Sequence, residues 1–121
     1  MDTLAPITIR VTKRLASELR VKLTSAPSDE SPTPLFHEWY AHILWIERRK
    51  CVLVTEANTL FSFLLTELVR RDFDRFPELL LTAARTSIWT LGFENIEFPL
   101  PDLQRVGFAP TKSRRVLGSL N

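Results

Sequence analysis

Glycine is almost missing from this chain, which has only Gly92, Gly107 and Gly118 in 121 residues. A phosphate-cradling glycine-rich loop cannot be built from them, and the nucleotide-binding and nucleophile-elbow motifs that need such loops are absent. Cysteine is scarcer still. With Cys51 alone, no intrachain disulfide can form, which excludes a disulfide-stapled secreted scaffold. No apolar run is long enough to span a bilayer. The first residues, MDTLAPITIRVTKR, lack a basic stretch followed by an apolar one, so no signal peptide is expected. These absences point to a cytoplasmic protein.

What is present describes one ordinary globular domain over residues 1–121, with 45% hydrophobic and 25% charged residues. Net charge is only +2. The bases are clustered, however: Lys13-Arg14 beside Thr12, Arg48-Arg49-Lys50, and Lys112 with Arg114-Arg115. Between residues 24 and 47 there is no Lys or Arg at all.

The pattern predicts an α+β fold, a small mixed sheet around a central hairpin, packed by about three helices and a short C-terminal helix. Residues 7–11, β-branched, read as a strand. Thr12 is a suitable cap for a helix over about 13–23, with Leu15, Ala16, Leu19 and Leu23 as its stripe. Residues 24–35, rich in Pro and Ser, read as a flexible loop. From His37 to Ile46 both alternating sets are largely apolar, as in a strand covered on both faces. Residues 51–55 return antiparallel. The tip lacks Asn-Gly chemistry, so a four-residue loop, 47–50, is expected.

Two helices are expected next, over about 57–70 and 77–91, with Glu56 and Glu78 at their starts, Pro77 in a first turn and Gly92 as a stop. Phe63 and Trp89 fall off the helical stripes. They mark a protein interface, a homodimer included, or pack under the terminal segment, where Arg85 can cover Trp89. ENIEF and RVGFA suggest short strands around a PLPD turn, and Ser113 can cap a terminal helix.

No cofactor or metal is expected. His37 and His42 point to opposite faces of their strand, and neither has a partner at ligand spacing. With Ile46 opposite Cys51, His42 would lie about 13 Å from the thiol, too far for a nucleophile–base pair. Cys51 and His42 therefore read as core residues.

One feature runs against electrostatics. Helix starts favour acids, yet the helices after Thr12 and Ser113 open with Lys13-Arg14 and Arg114-Arg115. Solvated charges of small cost explain this, or an anion does. The second explanation makes Lys13, Arg14, Arg48, Arg49, Lys50, Lys112, Arg114 and Arg115 a surface for a nucleic-acid backbone or an acidic protein face. The expected function is a non-enzymatic binding or adaptor domain without membrane contact. The alternative is a small phosphodiester-acting enzyme, a toxin-like nuclease using His37 or His42 as base.

Three segments together resemble a family of small, uncharacterised bacterial proteins: IRVTK (9–13); HEWYAH (37–42) running into RRKCVL (48–53) and TLFSF (59–63); and SRRVLGSLN (113–121). The resemblance implies a cytosolic domain of unknown function and supplies no catalytic residue. Family members are expected to continue past Leu120-Asn121.

Overall fold

The computed structural model describes residues 7–23, 35–93 and 106–111. Five strands form one mixed sheet in the order β4-β3-β2-β1-β5. They are β1 (Ile7–Val11), β2 (Glu38–Ile46), β3 (Arg49–Glu56), β4 (Ser62–Leu65) and β5 (Val106–Pro110), and the helices are α1 (Lys13–Leu19), α2 (Arg70–Asp74) and α3 (Phe76–Thr90). This is the expected α+β architecture.

β1 is parallel to β2 on one side and to β5 on the other. A parallel neighbour needs a crossover, and α1 supplies it between β1 and β2. The remaining pairs, β2 with β3 and β3 with β4, are antiparallel hairpins. Alternation then sorts the side chains. Ile7, Ile9, Val11, Trp39, Ala41, Ile43, Val52, Val54 and Leu65 share a buried cluster with Leu15, Leu19, Phe73, Phe76, Leu80, Ala84 and Ile88 from the helices. The opposite face carries Arg10, Glu38, Tyr40, His42 and Leu53. There Arg10 donates to Glu38 and to the Pro110 carbonyl, joining β2, β1 and β5.

Helix α1 starts as expected, with the Thr12 hydroxyl accepting the Leu15 amide at 3.3 Å. It stops at Leu19, earlier than expected. Arg20 takes a left-handed conformation (φ 59°), and its amide and that of Val21 close on Ser17 and Ala16. Helix α3 matches its expected span. Pro77 lies in its first turn, and Gly92 (φ 95°) follows its last.

The helix expected over 57–70 is instead a turn, strand β4, a short link and α2. The apolar residues 60, 61, 64, 65 and 68 fit a helical stripe, but Phe61, Phe63 and Leu65 also fit a period of two. Side-chain capping of the turn decides between them. The fully buried Glu56 carboxylate accepts the amides of Asn58 (3.0 Å) and Thr59 (2.8 Å), the Thr59 hydroxyl (2.9 Å), the Asn58 side-chain amide (3.3 Å) and the Phe36 amide (3.3 Å). The acid thus tightens a turn where a helix start was expected, and β4 pairs with β3.

The β2–β3 tip also differs from expectation. Glu47 (φ 51°) and Arg48 (φ 67°) form a two-residue turn of the type I′ kind, which demands positive φ at both centres. Ile46 therefore faces Arg49, and Leu44 faces Cys51. This register corrects the His42–Cys51 geometry. His42 lies one diagonal from Cys51, a separation of about 7–8 Å, still beyond hydrogen-bond reach.

Residues 24–34, the ENIEF segment with its PLPD turn, and the expected terminal helix lie outside the described residues. Among the described residues no helix is long and apolar enough to cross a membrane.

A basic groove at the hairpin tip

Three features bring cations together at one end of the sheet. The tight turn projects Arg48 and places Arg49 and Lys50 at the start of β3. The link between β4 and α2 is pinned beside them, because the Leu68 amide donates to the Lys50 carbonyl at 2.9 Å. Finally, α1 packs against β2, and the Arg14 guanidinium lies 4.2 Å from the centroid of Trp45, the cross-strand neighbour of Lys50.

Between tip and link runs an open groove of about 660 Å³, lined by Arg48, Arg49, Lys50, Glu67, Leu68, Val69 and Arg70. Four of these side chains are cations and one is an acid. Their partners differ. Lys50 pairs with Glu18 of α1 at 2.5 Å. Arg70 donates to the Glu18 carbonyl (2.6 Å) and to Asp74 (2.8 and 3.1 Å), so groups outside the groove fix its head. Arg49 pairs with Glu67 inside the groove. Arg48 is exposed and has no ion pair among the described residues.

Of the residues singled out from sequence, Arg48, Arg49 and Lys50 line the groove, and Arg14 stands beside it over Trp45. Lys13 is exposed at the start of α1. No acid lies in the first turn of α1, as the sequence states. The placement of Arg14 there has a packing reason, since its cation covers part of an indole that stays 42% exposed. Lys112, Arg114 and Arg115 lie outside the described residues.

Phe63 is not a surface aromatic. On β4 it faces Val54 and packs edge-on against Trp39 at 6.1 Å, with Phe61 at 6.0 Å. The interface expectation for it rested on helical geometry that the strand removes. Trp89 is exposed (46%), with the Arg85 guanidinium 5.3 Å from its ring centroid.

Neither histidine lines the groove. His37 precedes β2 at the end of the hairpin opposite the tip, nine residues before Ile46, or about 30 Å of extended chain. Burial lowers its pKa from 6.5, against the opposing pull of the Glu56 charge, and its buried Nδ1 has no hydrogen-bond partner among the described residues. His42 sits mid-strand opposite Leu53. Cys51 is buried, its Sγ 3.7 Å from the Arg49 carbonyl. Among the described residues no group of His, Cys, Asp or Glu is arranged to hold a metal ion.

Sequence reasoning missed Arg70, Glu67 and Trp45. The first two were hidden in the supposed helix over 57–70, although the alternation Phe61-Phe63-Leu65 was the signal for a strand ending just before them. Trp45 read as a core residue because its strand was expected to be covered to its end.

Residues 8–121 match the sequence profile of a domain of unknown function, DUF6933. No curated protein and no solved structure matches the chain.

Proposed function

The chain belongs to the DUF6933 family, and from that premise we propose that it is a non-enzymatic binding domain whose basic groove takes an anionic partner, the backbone of a single-stranded nucleic acid. The observation that carries this reading is convergence. Cations from the hairpin turn (Arg48), β3 (Arg49, Lys50) and α2 (Arg70) line one groove, with Arg14 on Trp45 at its side. Such a groove attracts a phosphate backbone and favours its binding by counterion release. Exposed Trp45 and Val69 add apolar surface next to the charge, the combination that sequence-tolerant single-strand binders use. Catalysis is not part of the proposal, because among the described residues no histidine, cysteine or carboxylate other than Glu67 lines the groove. A cytosolic setting, where such partners occur, agrees with a single unpaired thiol.

The test is fluorescence anisotropy with a labelled oligothymidylate of about twenty nucleotides. Four phosphate contacts give a salt slope of about −3, so affinity should fall on the order of fiftyfold between 50 and 200 mM salt. Arg48→Glu should weaken binding at least tenfold. Failure to bind at low salt, or indifference to Arg48→Glu, would overturn the proposal. Tighter binding of poly-glutamate than of the oligonucleotide would transfer the groove to an acidic protein face.

A further inference from the structure

The binding reading leaves Glu67 unexplained. Among the described residues it is the one acid in a groove lined by four cations, Leu68 and Val69, and it holds Arg49 from within. Both side chains are 61% exposed, so their pairing gives the fold little. The backbone at Glu67 is also left-handed (φ 55°), a conformation that side-chain-bearing residues seldom adopt. The left-handed turn lets Leu68 reach the core and the Lys50 carbonyl, but the exposed ion pair itself adds little to that.

Resting on the proposed binding reading, we propose that Glu67 is a built-in competitor for the groove, an internal carboxylate that the partner's phosphate must displace from Arg49. The neighbouring cations show why Arg49 is the point of exchange. Lys50 and Arg70 are paired with Glu18 and Asp74, which do not line the groove, and their pairs can persist when a ligand arrives. A phosphate approaching Arg49 meets a guanidinium whose hydrogen-bonding fork Glu67 already engages. Carboxylate and phosphate oxygens take the same donors, so the two exclude each other. The consequence is discrimination by charge density. A single phosphate gains little by replacing an attached carboxylate, whereas a polyanion that also reaches Arg48 and Lys50 gains enough to do so.

The experiment measures oligothymidylate affinity for the wild type, Glu67→Gln, Arg49→Gln and the double variant at 50 mM salt, with inorganic phosphate as a competing ligand. Glu67→Gln should bind the oligonucleotide about three- to fivefold tighter, the worth of a released surface pair. The gain should shrink below about twofold in the Arg49→Gln background, because a competitor acts only through the cation it occupies. Inorganic phosphate should displace the oligonucleotide more readily from Glu67→Gln than from the wild type. The thermal midpoint of Glu67→Gln should stay at the wild-type value. A lowered midpoint would make Glu67 structural and overturn the proposal. So would unchanged or weaker binding by Glu67→Gln while the wild type binds, an outcome that leaves the binding reading standing. A gain that persists in full without Arg49 would reduce the effect to general charge and overturn it too. If no variant binds the oligonucleotide, both readings fall together.

Discussion

Two glutamates, Glu56 at one end of the β2–β3 hairpin and Glu67 in the β4–α2 link beside its tip, could hardly be treated more differently. Glu56, at the closed end, is fully buried and accepts five hydrogen bonds from Phe36, Asn58 and Thr59. Glu67, beside the tip, is mostly in water and holds one arginine. Around Glu56 the aromatic rings of Phe36, Trp39, Phe61 and Phe63 are in contact, and the Trp39 indole donates to the Phe36 carbonyl at 2.7 Å. Around Glu67 lie cations. A carboxylate whose lone pairs are filled by the backbone organises structure, because removing it strands several donors. One that meets a single exposed cation is free to exchange. The hairpin is therefore anchored at one end and available at the other.

The strongest way to break this contrast is to remove the anchor. Glu56→Ala leaves five donors without their acceptor and should cost roughly 3–5 kcal/mol, a large share of the stability of a domain this size. Glu56→Gln, which turns a donor toward donors, should cost nearly as much. Urea unfolding monitored by tryptophan fluorescence measures both. A loss below about 1 kcal/mol for Glu56→Ala would show that water replaces the carboxylate and that the closed end is not anchored by it.

A smaller effect of opposite sign is expected at the tip. Glu47 and Arg48 occupy left-handed conformations that Asn and Gly adopt with less strain. The double replacement Glu47→Asn with Arg48→Gly should raise stability by roughly 1 kcal/mol in the same unfolding assay. It should weaken oligonucleotide binding, because Arg48 is lost. Stability and binding moving in the same direction would contradict the division of labour between the two ends.

The extent to which all this could be read from sequence follows the same division. Strands β1, β2 and β3, helix α3 and the α+β class were legible because their periodicity had one interpretation and their caps agreed with it. The stretch 57–70 was not, because its apolar residues satisfy two periods at once, and Glu56 looks the same in sequence whether it caps a helix or fills a turn. The tip was misread for a related reason. Glu47-Arg48 lacks the usual turn residues, and only the pairing of the long flanking strands holds it in the type I′ conformation. Of the site, Arg48, Arg49 and Lys50 were visible as a run. Glu67 and Arg70 join them through the pairing of β4 with β3, the bond between Leu68 and Lys50 and the Arg49–Glu67 pair, contacts that no local pattern encodes.

Arg14 offers a finer comparison, between a cation placed for a ligand and one placed for packing. Its guanidinium over Trp45 has the geometry of a cation–π contact worth about 0.5 kcal/mol at an exposed site. Arg14→Ala should lower stability by about that amount and expose the indole, shifting its fluorescence to longer wavelength. The effect on oligonucleotide affinity should be smaller than that of Arg48→Glu. A larger loss of binding than of stability would return Arg14 to the groove.

The smallest expected effect distinguishes the ends by pH. His37, next to the anchored end, has its pKa lowered from 6.5 by burial, with the Glu56 charge pulling the other way, and its Nδ1 has no hydrogen-bond partner among the described residues. The unfolded chain therefore takes up a proton near pH 6.5, while the folded chain resists until a lower pH. Below about 6.5 the unfolded state binds more protons, so stability present above that pH is lost as pH falls toward the folded pKa, and the loss stops there. His37→Gln removes this term. Its stability relative to wild type should rise between pH 7.5 and 5.5, read as a change in the difference of urea midpoints. A difference constant across that range would mean that burial does not suppress protonation of His37. Acid should then loosen the anchored end of the hairpin, where His37 lies beside Glu56.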